Sequence, residues 1–463
     1  MMVSGVVRAA RALLLSGFVA VGGMAALAAD SAGVDTLREA MGRAYMGNPT
    51  LRADRARQRA TDEQVPQALS GWRPKIDGSA TMARVHTDID PGPSSTFTQK
   101  QLSISLQQPI FNGFRTVKGT KMAEATVEAG RQGLLATEQS VLLQAVTAYM
   151  DVWRDRQIVT LRKRNVTVLQ GQLKAASDRF SVGEVTRTDV SQARASLSAS
   201  QANVSSARAT LAASEANYLK VVGNNPGMLS YPKAAPTPGS LDKARAIANE
   251  TNPNILAAAM TQEAAEHYVG VKAGELLPSI GLGASATLTP KPNSYPGADR
   301  LVQSQVGLSL DVPIYEQGMV YSQVRAAKQT ASQRRIQVIE AGRAVREGVT
   351  SSWNYLTAAQ QGIAAARSQV QASLLALDGV RQEYLVGSRT TLDVLNAEQS
   401  VLNARIALVQ AEHDKIVASY QLLSAMGRLT AQHLALNVSH YDPTENYRRV
   451  RNKWIGTDAE TVE

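Results

Sequence analysis

Cysteine is absent from the 463 residues of this sequence. The chain therefore has no disulfide framework, no thiolate metal site and no cysteine that could carry a lipid anchor after processing. Aromatic residues are scarce as well, at 5% of the chain, while Ala, Ser, Gln and Leu fill long stretches. This composition is typical of long helices rather than of a rounded two-layer domain, and it favours an elongated protein.

Long apolar runs are also missing: after residue 29 no stretch of about 18 apolar residues occurs, so no transmembrane helix is predicted. Residues 1–29 combine Arg8 and Arg11, an apolar run from Ala12 to Val21, and small residues before Asp30. This pattern is typical of a cleaved secretory signal peptide. A membrane anchor is the alternative, but the run is shorter than the roughly 20 apolar residues that a spanning helix needs.

The signatures of catalysis and of nucleic-acid binding are absent too. The formal charge is +10, or +8 once the two arginines of the signal peptide are removed, and it is spread along the chain without interleaved aromatics. Such a distribution gives no nucleic-acid footprint. The five histidines lack metal-ligand spacing, and no phosphate loop or G-x-S-x-G turn occurs. We therefore expect neither an enzyme nor a cofactor, and no metal site.

The chain does contain an internal duplication, because residues across its length match at one constant offset of 204. A register kept over such a length without a net insertion indicates two copies of one structural unit, since loops normally accumulate insertions. The landmark pairs are Asn48-Pro49 with Asn252-Pro253, Pro74 with Pro278, Pro109-Ile110 with Pro313-Ile314, Gly183 with Gly387, Asp189-Val190 with Asp393-Val394, and Gly223 with Gly427. The predicted organisation is a signal peptide (1–29), a first repeat (30–225), a Pro-rich linker (226–239), a second repeat (240–428) and a C-terminal segment (429–463).

Each repeat carries two candidate strands in which apolar and polar residues alternate with period two. A half-buried sheet covering a soluble core is the commoner meaning of such alternation. However, the flanking helices lack a broad apolar face, and the strands have about the ten residues that cross an outer membrane when tilted. The predicted strands are Lys75–Val85, Leu102–Ile110, Ser279–Leu288 and Gln303–Ile314.

Four strands per chain do not close a membrane barrel, because the smallest such barrels have about eight. The strands must then be pooled between chains, eight in a dimer or twelve in a trimer. An eight-stranded interior is filled by side chains, so a channel favours the trimer.

Long helices make up most of the remaining chain. The segment from Phe114 to Phe180 contains no proline, and a helix of that length spans on the order of 100 Å. In the second repeat, apolar residues recur every seven positions from Leu395 to Leu423, which is typical of a coiled-coil seam.

Two turns, V-G-E-V-T at 182–186 and V-G-S-R-T at 386–390, each separate a pair of these helices. Gly183 and Gly387 suit the left-handed conformation at a helix C-terminus. The threonines that follow are predicted N-caps, with Asp189 and Asp393 in the first helical turn. Capping alone would account for these residues; a functional role is the alternative.

The duplicated layout, the two V-G-x-x-T turns, P-I-F-N-G and P-I-Y-E-Q-G after strands, and V-G-S-R-T-T-L-D-V-L-N-A resemble the TolC family of outer-membrane channels. The tail S-H-Y-D-P-T-E-N-Y-R-R-V-R-N-K-W-I-G resembles alphaproteobacterial members of that family. The resemblance implies a mixed α and β membrane protein, a homotrimer whose 12-stranded outer-membrane β-barrel continues as a 12-helix periplasmic α-barrel of coiled-coil hairpins. It also implies a passive exit duct for efflux or type I secretion, in contact with outer-membrane lipid and with a periplasmic adaptor, and through that adaptor with an inner-membrane pump or ABC transporter.

The resemblance further implies roles for residues of the two turns. Tyr384 and Arg389 would form a periplasmic gate with Thr188 and Asp189, because Asp189 can accept hydrogen bonds from both donors. Asp393 would line the pore constriction as a ring of three carboxylates, which favours cations. Asn396 stands where family members often have a second aspartate, so a weaker cation block is expected. The adaptor would dock at Val182, Gly183, Val386 and Gly387.

Two other functions fit parts of the sequence. A periplasmic adaptor also has long helical hairpins, but it would show one hairpin per chain and lipoyl-like β modules. A coiled-coil adhesin or envelope tether would show neither the duplication nor the alternating strands. The channel accounts for more of the sequence than either of them.

Overall fold

A computed structural model describes residues 34–292, 295 and 297–459 of the chain; the predicted signal peptide lies outside the described residues. The helices are α1 (Leu37–Gly47), α2 (Pro49–Asp62), α3 (Gln64–Leu69), α4 (Arg115–Ser181), α5 (Arg187–Val222), α6 (Leu241–Thr251), α7 (Pro253–Ala273), α8 (Met319–Leu385), α9 (Thr391–Ala425) and α10 (Glu445–Val450). The strands are β1 (Val34–Asp35), β2 (Lys75–Thr87), β3 (Ser95–Asn112), β4 (Met228–Leu229), β5 (Ser279–Pro290) and β6 (Arg300–Asp311).

The elements recur at the offset seen in the sequence. Helices α4 and α8 both contain 67 residues, and both their first and their last residues are 204 positions apart. A helix of this length measures about 100 Å. The short helices break at the same place in each repeat, where Asn48 and Asn252 cap helices that begin with proline. Proline suits this first position because its missing N–H would have no partner there.

Each long helix turns back into an antiparallel partner, α4 into α5 and α8 into α9. In α5 the small residues Ala193, Ser200 and Ala207, spaced seven apart, are buried, so the paired helices approach closely. In α9, Leu395, Ile416 and Leu423 of the heptad series are buried too. Within the described ranges, no helix is long and apolar enough to span a bilayer.

The main sheet is antiparallel in the order β2-β3-β5-β6. Its register places the apolar residues of all four strands on one face, because Ile104 lies opposite both Gly78 and Ala286, and Leu282 lies opposite Leu308. On the other face Ser79 and Ser103 share a hydrogen bond of 2.7 Å. The apolar face is largely exposed in the single chain, with Val306 at 75%.

All four predicted strands differ from the structure at one end or both, and the largest differences are at the start of β3 and at the two ends of β6. Strand β3 begins at Ser95 rather than at Leu102, because residues 95–101 pair with β2 although Phe97 is their one apolar residue. Strand β6 ends at Asp311, whereas the prediction extended it to Ile314. Asp311 pairs with Ser279, the first residue of β5, so the chain itself offers no strand partner beyond that point.

The core lies near the middle of the long helices, where α1, α4, α5 and α9 meet. It includes the fully buried side chains of Met41, Leu142, Tyr149, Tyr218 and Leu422. The hydroxyl oxygen of Tyr149 lies 2.7 Å from the backbone oxygens of both Asp35 and Ser230, and the hydroxyl proton shared between these acceptors joins the core to the β1–β4 pair.

The C-terminal segment packs against this core. The amide of Ala431 donates to Glu138 on α4 at 2.7 Å, and Asn446 on α10 donates to the buried carboxylate of Asp62 on α2 at 2.9 Å. Burial raises the pKa of Glu138 above its ordinary value, although the hydrogen bond from Ala431 opposes this shift. The segment is therefore held by buried polar bonds as well as by apolar packing.

Candidate functional site at the helix tips

The two helical hairpins end in turns of the same geometry, which we call the first tip (residues 179–190) and the second tip (residues 383–394). In the first tip, Gly183 has a φ of 83°, and the amide of Glu184 donates to the backbone oxygen of Arg179 at 3.0 Å. In the second tip, Gly387 has a φ of 80°, and Ser388 donates to the oxygen of Glu383 at 3.0 Å. The left-handed turn requires glycine in both tips.

Both tips continue into a capped helix. Thr186 and Thr390 accept hydrogen bonds from the amides of Asp189 and Asp393, and each aspartate accepts in return from its threonine backbone and hydroxyl. These are capping boxes with aspartate at the third helical position. The predicted capping by both threonines is therefore present.

Within one chain, the four predicted gate residues are held mostly by contacts inside their own tips. Arg389 donates from Nε to Glu383 at 2.7 Å, and Asp189 is bound by Thr186. The hydroxyl of Tyr384 lies 3.4 Å from that of Thr391, and Thr188 is exposed. The single chain thus does not bring Asp189 together with Arg389 or Tyr384.

Hydrogen bonds within the second tip favour the charged forms of Asp393 and Arg389. The hydrogen bonds from the Thr390 backbone and side chain lower the pKa of Asp393, and the bond to Glu383 raises the pKa of Arg389. The bonds from Thr390 are all made by Oδ2 of Asp393. Asn396, about one turn further along α9, is exposed.

The residues predicted to dock a partner form the ends of the tips. Val182 and Val386 are 71% and 80% exposed, which is unusual for valine because burial of an apolar side chain is favourable. Gly183 and Gly387 have open space around them. The tips therefore present small apolar surfaces at the far end of the helices from the sheet.

Sequence reasoning missed two residues of this site, Arg179 and Glu383. The guanidinium carbon of Arg179 lies 4.7 Å from the ring centroid of Tyr384, and Glu383 binds Arg389. A signal was present in the sequence, because these residues occupy the same position four residues before each glycine and carry opposite charges.

Two long helical hairpins, with an amphipathic sheet at one end and apolar tips at the other, define a channel-forming envelope protein. The family model described as outer membrane efflux protein matches residues 40–224 and 245–428, so its two segments follow the duplication. The chain belongs to this family, which consists of channels and not of enzymes.

Known relatives agree with this assignment. The chain is 43% identical over 449 residues to the outer membrane efflux protein BepC of Brucella suis, covering 96% of each chain. It is 29% identical over 429 residues to the outer membrane protein TolC of Escherichia coli, covering 87% of this chain and 84% of that one. The solved CmeC outer membrane channel of Campylobacter jejuni shares the fold with a TM-score of 0.77, at 16% identity over 90% of this chain and 89% of that one. The comparisons do not support the adaptor alternative.

Proposed function

We propose that this protein forms a homotrimeric exit duct in the outer membrane that serves a tripartite efflux or type I secretion machine. The observation that carries the proposal is the register of the sheet, which sorts apolar and polar residues of all four strands onto opposite faces. Three such sheets give twelve strands, with apolar residues toward outer-membrane lipid and polar residues toward a water-filled lumen.

The helices would continue this pore through the periplasm. Three chains supply twelve helices from α4, α5, α8 and α9, and their length of about 100 Å fits a long periplasmic tunnel. We assign residues 30–225 and 240–428 to the two repeats, 226–239 to their linker and 429–463 to the segment around the middle of the tunnel. Burial of Glu138 and Asp62 against this segment supports the last assignment.

The tips would close the tunnel and bind its partners. We assign Thr188, Asp189, Tyr384 and Arg389 to the gate. Asp393 and Asn396 are assigned to the constriction, and the exposed Val182, Gly183, Val386 and Gly387 to docking of the periplasmic adaptor, which links the duct to an inner-membrane pump or ABC transporter. Since the single chain leaves Asp189 and Arg389 apart, the link between them is proposed to form between neighbouring subunits.

Single-channel recording tests the function. Purified protein added to a planar lipid bilayer should give uniform conductance steps, and crosslinking should yield a trimer as the largest species. Absence of steps under all lipid and voltage conditions, with an intact trimer in detergent, would refute the duct.

A second experiment separates the two kinds of machine. Photocrosslinkers at positions 182 and 386 should capture a periplasmic adaptor in intact cells, and the transporter that co-purifies with the adaptor identifies drug efflux or protein secretion. A crosslinker at exposed Arg164 on α4, well above the tips, is the matched control.

A further inference from the structure

The two tips of one chain touch through Arg179 and Tyr384. Arg179 lies in the last turn of α4 and Tyr384 in the last turn of α8, and the guanidinium carbon is 4.7 Å from the ring centroid. Such a distance is typical of a cation–π contact. Among the described residues of the two tips, no other ring contact, and no hydrogen bond or ion pair, joins the first tip to the second.

Both partners are held in place by their own tips. The Tyr384 hydroxyl lies 3.4 Å from that of Thr391, which is buried, so the ring has a defined orientation. Nε of Arg179 lies 3.8 Å from the carboxylate of Glu184 across the first turn. The side chain of Arg179 is 32% exposed, so its charge is partly shielded from water where it faces the ring.

The duplication does not repeat this contact. At the offset of 204, Glu383 replaces Arg179, and Phe180 replaces Tyr384. Glu383 is an anion, which is repelled by the negative face of an aromatic ring, and it binds Arg389 instead. In a ring where first and second tips alternate, a contact of this kind thus occurs at the junction inside each chain and not at the junction between chains.

We propose that Arg179 is a positioning residue of the closed duct, whose guanidinium holds the end of α8 against the first tip through the Tyr384 ring. Opening then requires this contact to break, in addition to any bond made by the Tyr384 hydroxyl. The proposal rests on the proposed function as a gated duct. It adds a gate contact that uses the ring of Tyr384, whereas the link to Asp189 uses its hydroxyl.

Two substitutions at position 384 separate the ring from the hydroxyl. Tyr384→Phe keeps the ring and removes the hydroxyl, while Tyr384→Leu removes both. Arg179→Gln should raise the ratio of open to closed time of the channel. We expect about a two- to fivefold increase for each Arg179–Tyr384 contact that is lost, one per chain, which is the range typical of an exposed cation–π pair. It should do so equally in the Tyr384→Phe background, and it should have no further effect in the Tyr384→Leu background.

The measurement is single-channel recording of the purified, detergent-stable trimer in planar bilayers. Arg179→Lys, which keeps a cation over the ring, should restore most of the closed time. Arg164→Gln removes an exposed arginine higher on the same helix and should leave gating unchanged. Because the tip is exposed, these substitutions should leave folding and trimer assembly unchanged. The yield of trimer is measured in parallel for each variant.

The outcomes distinguish the two proposals. Unchanged gating in Arg179→Gln overturns the role of Arg179, while conductance steps in the same recordings leave the duct intact. An equal effect of Arg179→Gln in the Tyr384→Leu background also overturns it, because the arginine would then act elsewhere. Absence of conductance in the unmodified protein refutes the duct itself.

Discussion

Arg389 donates a hydrogen bond from Nε to Glu383 at 2.7 Å, within its own tip. A guanidinium has five N–H donors, so this bond leaves the terminal nitrogens able to reach a carboxylate of a neighbouring chain. Glu383 thus fixes the direction in which Arg389 projects. In the proposed gate this carboxylate is Asp189 of the next subunit. The bond to Glu383 then holds the Arg389 side chain in place for that contact.

The first prediction concerns the proposed gate. Arg389→Ala combined with Tyr384→Phe should raise single-channel conductance and make cells leak antibiotics, because both proposed donors to Asp189 are lost. The individual bonds are exposed and weak, so the double variant should have a clearly larger effect than either single one. Unchanged conductance in the double variant would rule out the assigned gate.

The second prediction concerns the constriction. Asp393→Asn should weaken block by divalent or trivalent cations, because it removes the carboxylates of the proposed ring of three. Asn396→Asp should strengthen the block, because it adds a second ring about one turn along α9. The measurement is the cation concentration that halves conductance. Equal block in all three proteins would exclude these positions from the pore.

The third prediction concerns the sheet. Val306→Lys places a charge on the apolar face and should destabilise the inserted protein by about 2–4 kcal/mol if it lies near the bilayer midplane. Gln305→Lys, one residue earlier on the polar face, should insert normally and change ion selectivity. The check is the yield of heat-modifiable trimer in outer-membrane fractions. Equal insertion of both variants would contradict the assigned lipid face.

The fourth prediction concerns pH and Glu138. Burial raises the pKa of this carboxyl above 4.5, so the folded protein favours the protonated form. Its contribution to stability is complete below pH 4.5 and is lost as the pH rises through the higher folded value. Glu138→Gln stays neutral and still offers an oxygen to Ala431, so it should stabilise the protein at neutral pH and match it in acid.

Thermal unfolding of the detergent-solubilised protein at about pH 4 and pH 7.5 tests this sign. Glu138→Ala is the control, because it leaves the Ala431 amide without its acceptor and should cost about 1–3 kcal/mol at both pH values. A Glu138→Gln protein that is less stable at neutral pH would show that the carboxylate is charged and needed there.

Much of this fold follows from local patterns. The alternation in β2 and β5 and the glycine turns are short-range signals, and the structure confirms the strands and turns that they predict. The beginning of β3 was missed because Ser95 to Gln101 contain one apolar residue, Phe97, and so show no alternation; only pairing with β2 identifies them as a strand.

The site likewise combines features that local sequence patterns predict with features that depend on long-range packing. Caps at Thr186 and Thr390 follow from spacing along the chain, whereas the contact of Arg179 with Tyr384 joins residues 205 positions apart. The opposite charges at positions 179 and 383 are visible in the sequence, but the aromatic ring that Arg179 faces is not, because that contact depends on how the two hairpins pack. The pairing of Arg389 with Glu383 spans only six positions, but it depends on the turn at Gly387, which brings the two side chains together.

The equal length of α4 and α8 has a mechanical consequence. Adding one residue to an α-helix rotates everything beyond it by about 100° and advances it by 1.5 Å. An insertion in α4 or α8 alone would rotate the exposed valine at its tip away from the end of the proposed duct. It would also leave the first and second tips at different heights. For the two kinds of tip to end at the same height, insertions and deletions must therefore occur in both helices together, or in neither.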